Sequence, residues 1–115
     1  MDMYPDCVFC KIIAGQIPSE VVLESEAAIA IRDVGPQAPT HVLVIPREHV
    51  AGMEALPAAS PTWNELIGLA QEVAVREGLG GGFRLVINQG MDGGQAVGHL
   101  HLHLLGGRAL GWPPG

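Results

Sequence analysis

Residues 99–105 read HLHLHLL, and this strict alternation is the pattern that most limits how the chain can fold. Side chains of a β-strand point alternately to opposite faces, so a period of two predicts a strand over residues 99–105. His99, His101 and His103 would then project from one face, and the leucines would project from the other. We expect the leucine face to pack against an apolar helix.

Three imidazoles on one face of a strand need a chemical use. Neighbouring rings repel one another when they are charged, and they need hydrogen-bond partners when they are buried. Three of the five histidines of the chain nevertheless fall within residues 99–103. Metal ligation, proton transfer and nucleophilic attack are the roles that this grouping indicates. A solvent-exposed row of histidines and a site that only binds a metal are the alternatives.

The remaining segments indicate an α+β fold. Apolar, β-branched runs predict further strands, and two other segments predict a short N-terminal helix and one long helix. Because successive strands are joined by short connections, we expect an antiparallel sheet of about five strands. The predicted strands are residues 20–24, 27–33, 41–45, 83–88 and 99–105, and the predicted helices are residues 7–14 and 61–77.

The long helix has clear sequence signals at both ends. Ser60 is the expected N-cap with Pro61 in the first helical position, and Gly78 stands where a C-terminal glycine belongs. One apolar stripe follows the helical period and predicts the side of the helix that faces the core. Its members are Trp63, Leu66, Ile67, Ala70, Val73 and Ala74.

Composition narrows the classes of protein and partner. With 115 residues, 48% of them apolar and 16% charged, the chain is expected to form one packed domain over residues 1–115. A net charge of −6 argues against nucleic-acid binding, although backbone N–H groups can hold a small phosphorylated ligand on an acidic protein. The acidic start and the lack of a long apolar run favour a cytoplasmic protein with no membrane segment.

Cys7 and Cys10 have the spacing of a thiolate pair, which is by itself a weak signal. In a reducing compartment both would be free thiols that can bind a metal. A redox role would need a βαβ context, which the sequence does not predict, and two simply buried thiols are the other alternative.

The histidine motif and several further segments resemble the histidine triad superfamily. Residues 99–105 match its His-φ-His-φ-His-φ-φ signature, in which φ is an apolar residue. The resemblance covers nearly the whole chain and is closest to the nucleoside phosphoramidase branch. It extends to residues 7–15 (CVFCKIIAG), Asp33 with 36–41 (PQAPTH), 44–46 (VIP), 92–95 (DGGQ), 106–108 (GGR) and 112–115 (WPPG).

The resemblance implies a hydrolase that cleaves nucleoside 5′-phosphoramidates through a covalent nucleotidyl-histidine, with aminoacyl-adenylates as a second candidate substrate. By resemblance, the middle histidine, His101, attacks the α-phosphorus, and splitting the displacement in two makes each half easier. His103 would orient and contact the phosphate, with His41 nearby. A triad histidine would protonate the leaving amine, and His99 is available for this only if it binds no metal.

The resemblance also implies a set of nucleotide contacts to a purine nucleotide substrate. Asp33 resembles the acid that accepts from the ribose hydroxyls, with a strand-end cap as the alternative. Val34 would lie against the base, and Asn88 resembles a residue that contacts ribose or phosphate. The phosphate loop would comprise Gly94, Gln95 and Ala96, where small residues let backbone N–H groups approach an oxyanion.

Two positions depart from the superfamily pattern. Ala96 stands where many relatives have a serine that is thought to help the leaving group, which weakens the expectation of efficient amine release. Gly98 stands where relatives usually carry a large residue, and we expect it to loosen the strand before the triad. A nucleotide-sensing module without turnover and a dinucleoside polyphosphate hydrolase are the rival functions.

Bacterial relatives with the same cysteine pair imply a structural zinc site. Its ligands would form a closed Cys₂His₂ set, and no organic cofactor is expected. Relatives form two-fold dimers, so the resemblance implies a homodimer in which residues 113–115 reach towards the partner's site. The implied zinc ligands are Cys7, Cys10, His49 and His99.

Overall fold

An antiparallel sheet of five strands forms the centre of the computed structural model, which describes residues 3–115. Met1 and Asp2, part of the acidic start, lie outside the described residues. The strands lie in the order β1-β2-β3-β5-β4, which confirms the predicted α+β class. In chain order the elements are α1 (Val8–Ile13), β1 (Val21–Glu24), β2 (Ala28–Arg32), β3 (Thr40–Pro46), a 3-10 turn (Met53–Ala55), α2 (Thr62–Arg76), β4 (Phe83–Val86) and β5 (Leu102–Gly106).

The long helix α2 covers one face of the sheet, as the leucine pattern predicts. Leu102 and Leu104 of β5, together with Leu100 before it, pack with Leu66 and Val73 of α2 in the larger of two apolar cores. Burial of a leucine side chain contributes about 1.5–3 kcal/mol. The leucines of the alternating motif therefore anchor the strand from behind and hold its other face in place.

The opposite face of the sheet forms a second apolar core against α1. Phe9 of α1 packs there with Ile29 and Ile31 of β2 and with Leu43 and Ile45 of β3. β3 is consequently covered on both faces, and every one of its residues is buried. This explains why the run VLVI within β3 is continuously apolar and does not alternate.

β5 begins three residues later than predicted. It spans Leu102–Gly106, so the prediction of a strand over residues 99–105 was wrong for its first three residues. The last pair of the β3–β5 ladder is Val44 with Leu102. A longer ladder would set Leu100 opposite Pro46, which has no N–H, and the Pro46 carbonyl instead accepts from Nε2 of His99 at 2.9 Å. The alternation of faces nevertheless persists, since Leu100 still lies in the core against α2.

The ends of α2 agree closely with the sequence signals. The Ser60 hydroxyl accepts from the N–H of Thr62 at 3.2 Å. The helix begins one residue later than predicted, so Pro61 and not Ser60 is the N-cap, and the Pro61 carbonyl accepts from the N–H of Glu65 at 3.3 Å. Gly78 has a φ of 70°, the left-handed conformation that terminates many helices.

The buried stripe of α2 is shifted from the prediction. Four of its predicted members are buried, and Trp63 packs at the edge of the core. Ile67 is 39% exposed, however, and Leu69 is buried. The sheet covers the arc on which Leu66, Leu69 and Val73 lie, and Ile67 lies beside that arc. Within residues 3–115, neither this helix nor any other is long and apolar enough to cross a membrane.

An ion pair joins the end of β2 to the end of α2. Arg32 donates from Nη1 and Nη2 to the two carboxylate oxygens of Glu77 at 2.7 and 3.0 Å, and from Nε to Glu20 at 2.7 Å. The hydrogen bonds from Arg32 lower the pKa of Glu77, although its partial burial acts in the opposite direction. The pair therefore contributes more to stability when Glu77 is ionised.

Replacing Glu77 with glutamine should lower the free energy of unfolding by about 1 kcal/mol at pH 7. Because the folded pKa is below the ordinary glutamate value of about 4.3, the stabilisation is complete above that value and is lost as the pH falls through the folded pKa. Urea denaturation at pH 7 and pH 3 measures the difference. Glu20→Gln, whose carboxylate is 72% exposed, is the control with a smaller expected effect. An equal loss for Glu77→Gln at both pH values would contradict the prediction.

Candidate functional site

The main chain fixes the ring of His101, just before β5. Its Nδ1 lies 2.7 Å from the carbonyl oxygen of His99. A carbonyl can only accept, so Nδ1 carries the proton and Nε2 of the neutral ring keeps its lone pair. The residue is only 6% exposed. His101 therefore holds an unprotonated ring nitrogen in a defined direction, without the need for a general base.

A second main-chain contact fixes the protons of His41 and His103. The N–H of Gln37 donates to Nδ1 of His41 at 3.1 Å, so the proton of the neutral His41 ring is on Nε2. That nitrogen lies 2.9 Å from Nδ1 of His103 and donates to it. His103 must then carry its own proton on Nε2. The pair meets because His103 lies opposite Leu43 in the β3–β5 ladder, and Leu43 shares a face with His41.

The three rings and one carboxylate form a continuous group. The ring centroids of His101 and His103 are 5.0 Å apart. Oδ2 of Asp33, which follows β2, lies 3.5 Å from Nε2 of His41. Oδ1 of Asp33 accepts from the N–H of Gly35 at 2.7 Å, so the side chain does cap the end of the strand, as the alternative interpretation held. Its other oxygen faces the histidines.

Burial keeps His103 neutral. The pKa of His103 lies below the usual histidine value, first because the ring is partly buried and then because the rings of His101 and His41 are close. The Asp33 carboxylate opposes this shift. At pH 7 the ring therefore has one N–H and one lone pair, as its hydrogen bond from Nε2 of His41 requires.

The loop between β4 and β5, which contains the predicted phosphate-binding residues, is closed by its own hydrogen bonds. The N–H of Gly94 donates to the carbonyl of Met91 at 3.0 Å, and the N–H of Gln95 donates to that of Gly90 at 3.0 Å. Gly94 has a φ of 77°, a conformation that favours glycine. The structure thus uses these two N–H groups, predicted as phosphate donors, to shape the loop.

The side chain of Gln95 fastens this loop to its neighbours. Oε1 accepts from the N–H of Gly90 at 2.9 Å, and Nε2 donates to the carbonyls of Ala51 at 2.8 Å and Val97 at 3.0 Å. Val97 in turn packs against the core that contains Phe9, which contacts His101. Gln95 therefore holds the loop close to the histidines.

Three other predicted nucleotide contacts remain available to a ligand. Among residues 3–115, neither the N–H of Ala96 nor the side-chain amide of Asn88 has a hydrogen-bond partner. Val34 is fully exposed beside Asp33. The amide of Asn88 and the N–H of Ala96 could thus donate to a ligand without first losing a protein partner.

Cys7, Cys10, His49 and His99 come together as predicted. Their ligand atoms all lie within 4.8 Å of one another. Sγ of Cys10 lies 3.2 Å from Nδ1 of His49, and Nδ1 of His99 lies 3.4 Å from Sγ of Cys7 and 3.6 Å from Sγ of Cys10. Tetrahedral zinc, with bonds of about 2.3 Å to sulfur and 2.0–2.1 Å to nitrogen, separates such atoms by about 3.5 Å. The four side chains fit a metal ion.

The state of His99 strengthens that fit. Its Nε2 donates to the Pro46 carbonyl at 2.9 Å, so Nδ1 of the neutral ring has a lone pair directed at the two sulfurs. The pKa of His99 is lowered chiefly by burial and then by the nearby rings of His49 and His101, while the Pro46 carbonyl opposes the shift. Burial thus favours the neutral form, which is the one that ligates.

Asp33, His41 and His103 also lie close enough to hold a metal. Their protons argue against it, because Nε2 of His41 carries a hydrogen and donates it to His103. If that hydrogen moved to Nδ1 of His41, it would point at the N–H of Gln37, and the two donors would repel each other. The Cys7/Cys10/His49/His99 group is therefore suited to a metal, and the Asp33/His41/His103 group is suited to proton transfer. This differs from the alternative in which the three histidines of the motif bind one metal.

The sequence analysis gave no role to Phe9, Gln37 or Pro46, although all three shape the site. Phe9 makes edge contacts with the rings of His99 and His101, with centroids 5.8 and 5.0 Å away. Its place between the two cysteines could have indicated this. Gln37 and Pro46 act through a main-chain N–H and carbonyl, which no pattern of side chains reveals.

Comparison with known proteins places this geometry in a family. The HIT domain family matches residues 14–110. A 14 kDa zinc-binding protein of Zea mays is 49% identical over 112 residues, covering 94% of this chain and 87% of the maize protein. A HIT family hydrolase from Legionella pneumophila is similar in structure, with a TM-score of 0.92, 47% identity and coverage of 96% of this chain and 100% of that chain. A histidine triad nucleotide-binding protein from Candida albicans has a TM-score of 0.82 and 30% identity, with 94% and 83% covered. The chain belongs to the histidine triad (HIT) family.

Proposed function

We propose that this chain is a hydrolase that releases nucleoside 5′-monophosphates from nucleoside 5′-phosphoramidates through a covalent nucleotidyl-His101. The observation that carries the proposal is the 2.7 Å hydrogen bond from Nδ1 of His101 to the carbonyl of His99, which leaves Nε2 as the nucleophile. The names of two similar structures, a HIT family hydrolase and a histidine triad nucleotide-binding protein, support hydrolysis and a nucleotide ligand.

In the first step, Nε2 of His101 forms a bond to the α-phosphorus while the bond from phosphorus to the leaving nitrogen breaks. The electron pair of the broken bond stays on the leaving nitrogen, which takes up a proton and departs as an amine. The ring becomes a nucleotidyl-imidazolium. The carbonyl of His99 accepts more strongly from this charged ring than from a neutral one, so the same hydrogen bond favours the intermediate.

His103 and His41 together supply the proton. A neutral His103 cannot lose its single hydrogen, so the acid is the protonated His41–His103 pair, whose charge Asp33 stabilises from 3.5 Å. The lowered pKa of His103 makes this form a minority species at pH 7 and also a stronger acid. Before the first proton transfer, the Nε2–H of His103 can donate to a phosphate oxygen.

The second step reverses the first with water as the nucleophile. Water attacks phosphorus, its proton passes to Nε2 of His103, which gave up its hydrogen to the amine in the first step, and the electron pair of the P–N bond returns to Nε2 of His101. The nucleoside monophosphate leaves. Through the reaction Asp33 would accept from the ribose, Asn88 and the N–H of Ala96 would donate to the substrate, and Val34 would contact a purine base.

Replacing His101 with alanine should lower the rate of AMP release from an adenosine 5′-phosphoramidate at least about 10³-fold, because loss of a nucleophile removes the two-step route. Chromatography measures the AMP. Rapid quenching and intact-mass analysis of the unsubstituted protein should show one adenylyl group, and peptide mapping should locate it on His101. Val75→Ala, at a position that is 81% exposed on α2, is the control and should keep the full rate.

Each other outcome favours a named rival. Equal AMP release by the His101→Ala protein would contradict the covalent route. Binding of AMP without any turnover by the unsubstituted protein would favour a nucleotide-sensing module. Faster cleavage of a dinucleoside polyphosphate than of the phosphoramidate would favour the polyphosphate hydrolase. Aminoacyl-adenylates test the second candidate substrate in the same assay.

We also propose that Cys7, Cys10, His49 and His99 hold one structural zinc ion. The sulfur–nitrogen separations of 3.2–3.6 Å and the name of the maize relative support zinc. Four protein ligands leave no position for a reactive water, so the ion when bound would stabilise the fold without entering the chemistry. His99 would then take no part in proton transfer.

The protein prepared with zinc should contain one zinc per chain by elemental analysis, and Cys10→Ser should reduce this well below one. The thermal midpoint should fall with it, because metal binding adds to folding stability. Lys11→Ala changes the next residue along α1, which is outside the cluster, and should keep both values. Full zinc content in Cys10→Ser would refute the assignment.

We further propose that two chains form a homodimer in the cytoplasm. β4 lies at the edge of the sheet, and Phe83 in it is 44% exposed. An open edge with an exposed aromatic side chain favours pairing with a second sheet edge. Sedimentation equilibrium at micromolar concentration should give twice the chain mass of 12.1 kDa, and the single-chain mass would exclude the dimer.

A further inference from the structure

His99 contacts the metal cluster and the nucleophile with different parts of the same residue. Its ring lies within 3.6 Å of both cysteine sulfurs. Its carbonyl oxygen accepts from Nδ1 of His101 at 2.7 Å. The side chain and the main chain of one fully buried residue thus join two groups of atoms that would otherwise be separate.

We propose that the Cys7/Cys10/His49/His99 cluster sets the direction and tautomer of the His101 ring, with His99 as the positioning residue between them. The inference rests on the proposed function in taking His101 to be the nucleophile, and on the proposed zinc site in taking the cluster to bind the ion. Ligation of the His99 ring would fix its side chain at both nitrogens, one on the metal and one on the carbonyl of Pro46. The carbonyl of His99 would then have one orientation.

Phe9 provides a second connection. It stands on α1 between Cys7 and Cys10, and its ring is 6% exposed. Its ring makes edge contacts with the rings of both His99 and His101, at 5.8 and 5.0 Å between centroids. Ligation of the two cysteines would hold α1 in position, and with it the surface against which the His101 ring packs.

The cluster also borders the chain on both sides of His99. The N–H of Leu100 donates to the carbonyl of Val50 at 2.7 Å, and Val50 directly follows His49. On the other side, residues 96–98 line a cavity of about 570 Å³ together with His49 and Cys7. The ligands of the cluster therefore border the segment that leads from the predicted phosphate loop to His101.

This arrangement has a measurable consequence for the His101 ring. A neutral imidazole free of contacts exchanges its proton between Nδ1 and Nε2. A hydrogen bond of ordinary net strength changes the ratio of the two tautomers about fivefold. Weakening the hold on His99 should move the ratio by that factor, and each ring with its proton on Nε2 has lost its nucleophilic nitrogen.

The first test is ¹⁵N NMR of the histidine side chains in the zinc-loaded protein and after removal of the ion with a chelator, with circular dichroism to verify the fold. We expect His101 to have its proton on Nδ1 in the loaded protein and to show a tautomer ratio changed about fivefold after removal. The signals of His41 and His103, which the N–H of Gln37 governs, should change less. Identical His101 signals in two folded samples would overturn the proposal.

Two matched variants provide the answer if the protein unfolds without its metal. His49→Cys and His99→Cys both convert the cluster to Cys₃His, a set that also binds zinc. Both proteins can therefore be studied loaded and folded. We expect His99→Cys to change the His101 signals and His49→Cys to leave them close to those of the original protein. The same His101 signals in both variants would refute the role of His99.

These measurements need no nucleotide, so their outcome is independent of the substrate. A His101 ring that follows the metal, in a protein that releases no AMP from phosphoramidates, would contradict the proposed function and leave this inference standing. A protein that releases AMP at the full rate, and whose His101 signals do not change when the metal is removed, would support the proposed function and contradict this inference.

Discussion

The site depends on hydrogen bonds between imidazole rings and the main chain. A neutral imidazole has one hydrogen and one lone pair, and which nitrogen has which is decided by its partners. The carbonyl of His99 places the hydrogen of His101 on Nδ1, and the N–H of Gln37 places that of His41 on Nε2. From these two contacts follow an N–H at Nε2 of His103 and an unprotonated Nε2 at His101, the atom that we propose as the nucleophile. Main-chain groups do not change their protonation state, so these two contacts select the same tautomer whenever the His101 and His41 rings are neutral.

The fold was largely predictable because its strongest signals are local. A period of two in residues 99–105 predicts the faces of the sheet, and the leucines do pack against α2. The start of β5 was not predictable, since the ladder ends where the partner strand reaches Pro46. Extended backbone suffices to alternate the side chains, so the imidazoles share a face although the first of them precede the strand. The prediction for α2 was wrong at Ile67. Helical spacing shows which side chains lie on the apolar side of the helix, but the position of the sheet decides which of them are buried.

The site was predictable to the level of residues and less so to the level of atoms. The four residues of the proposed metal site and the four members of the histidine–carboxylate group, Asp33, His41, His101 and His103, do come together. The phosphate loop is different. Two of its expected donors, the N–H groups of Gly94 and Gln95, make hydrogen bonds within the loop, and the N–H of Ala96 is the expected donor that makes none among the described residues. Sequence marks a loop rich in small residues, but which of its amides face inwards depends on how the loop closes upon itself.

Because His101 is held by a carbonyl, its partner is a group that every amino acid possesses. A descendant of this chain could therefore replace the side chain at position 99 and still offer the same acceptor. What it would lose is the attachment of that residue to α1, and apolar packing around Phe9 could restore it. The proposed metal site and the orientation of His101 are in this sense separable in evolution: the two cysteines could disappear from a lineage one packing adjustment at a time, while the orientation of the His101 ring is inherited through the backbone.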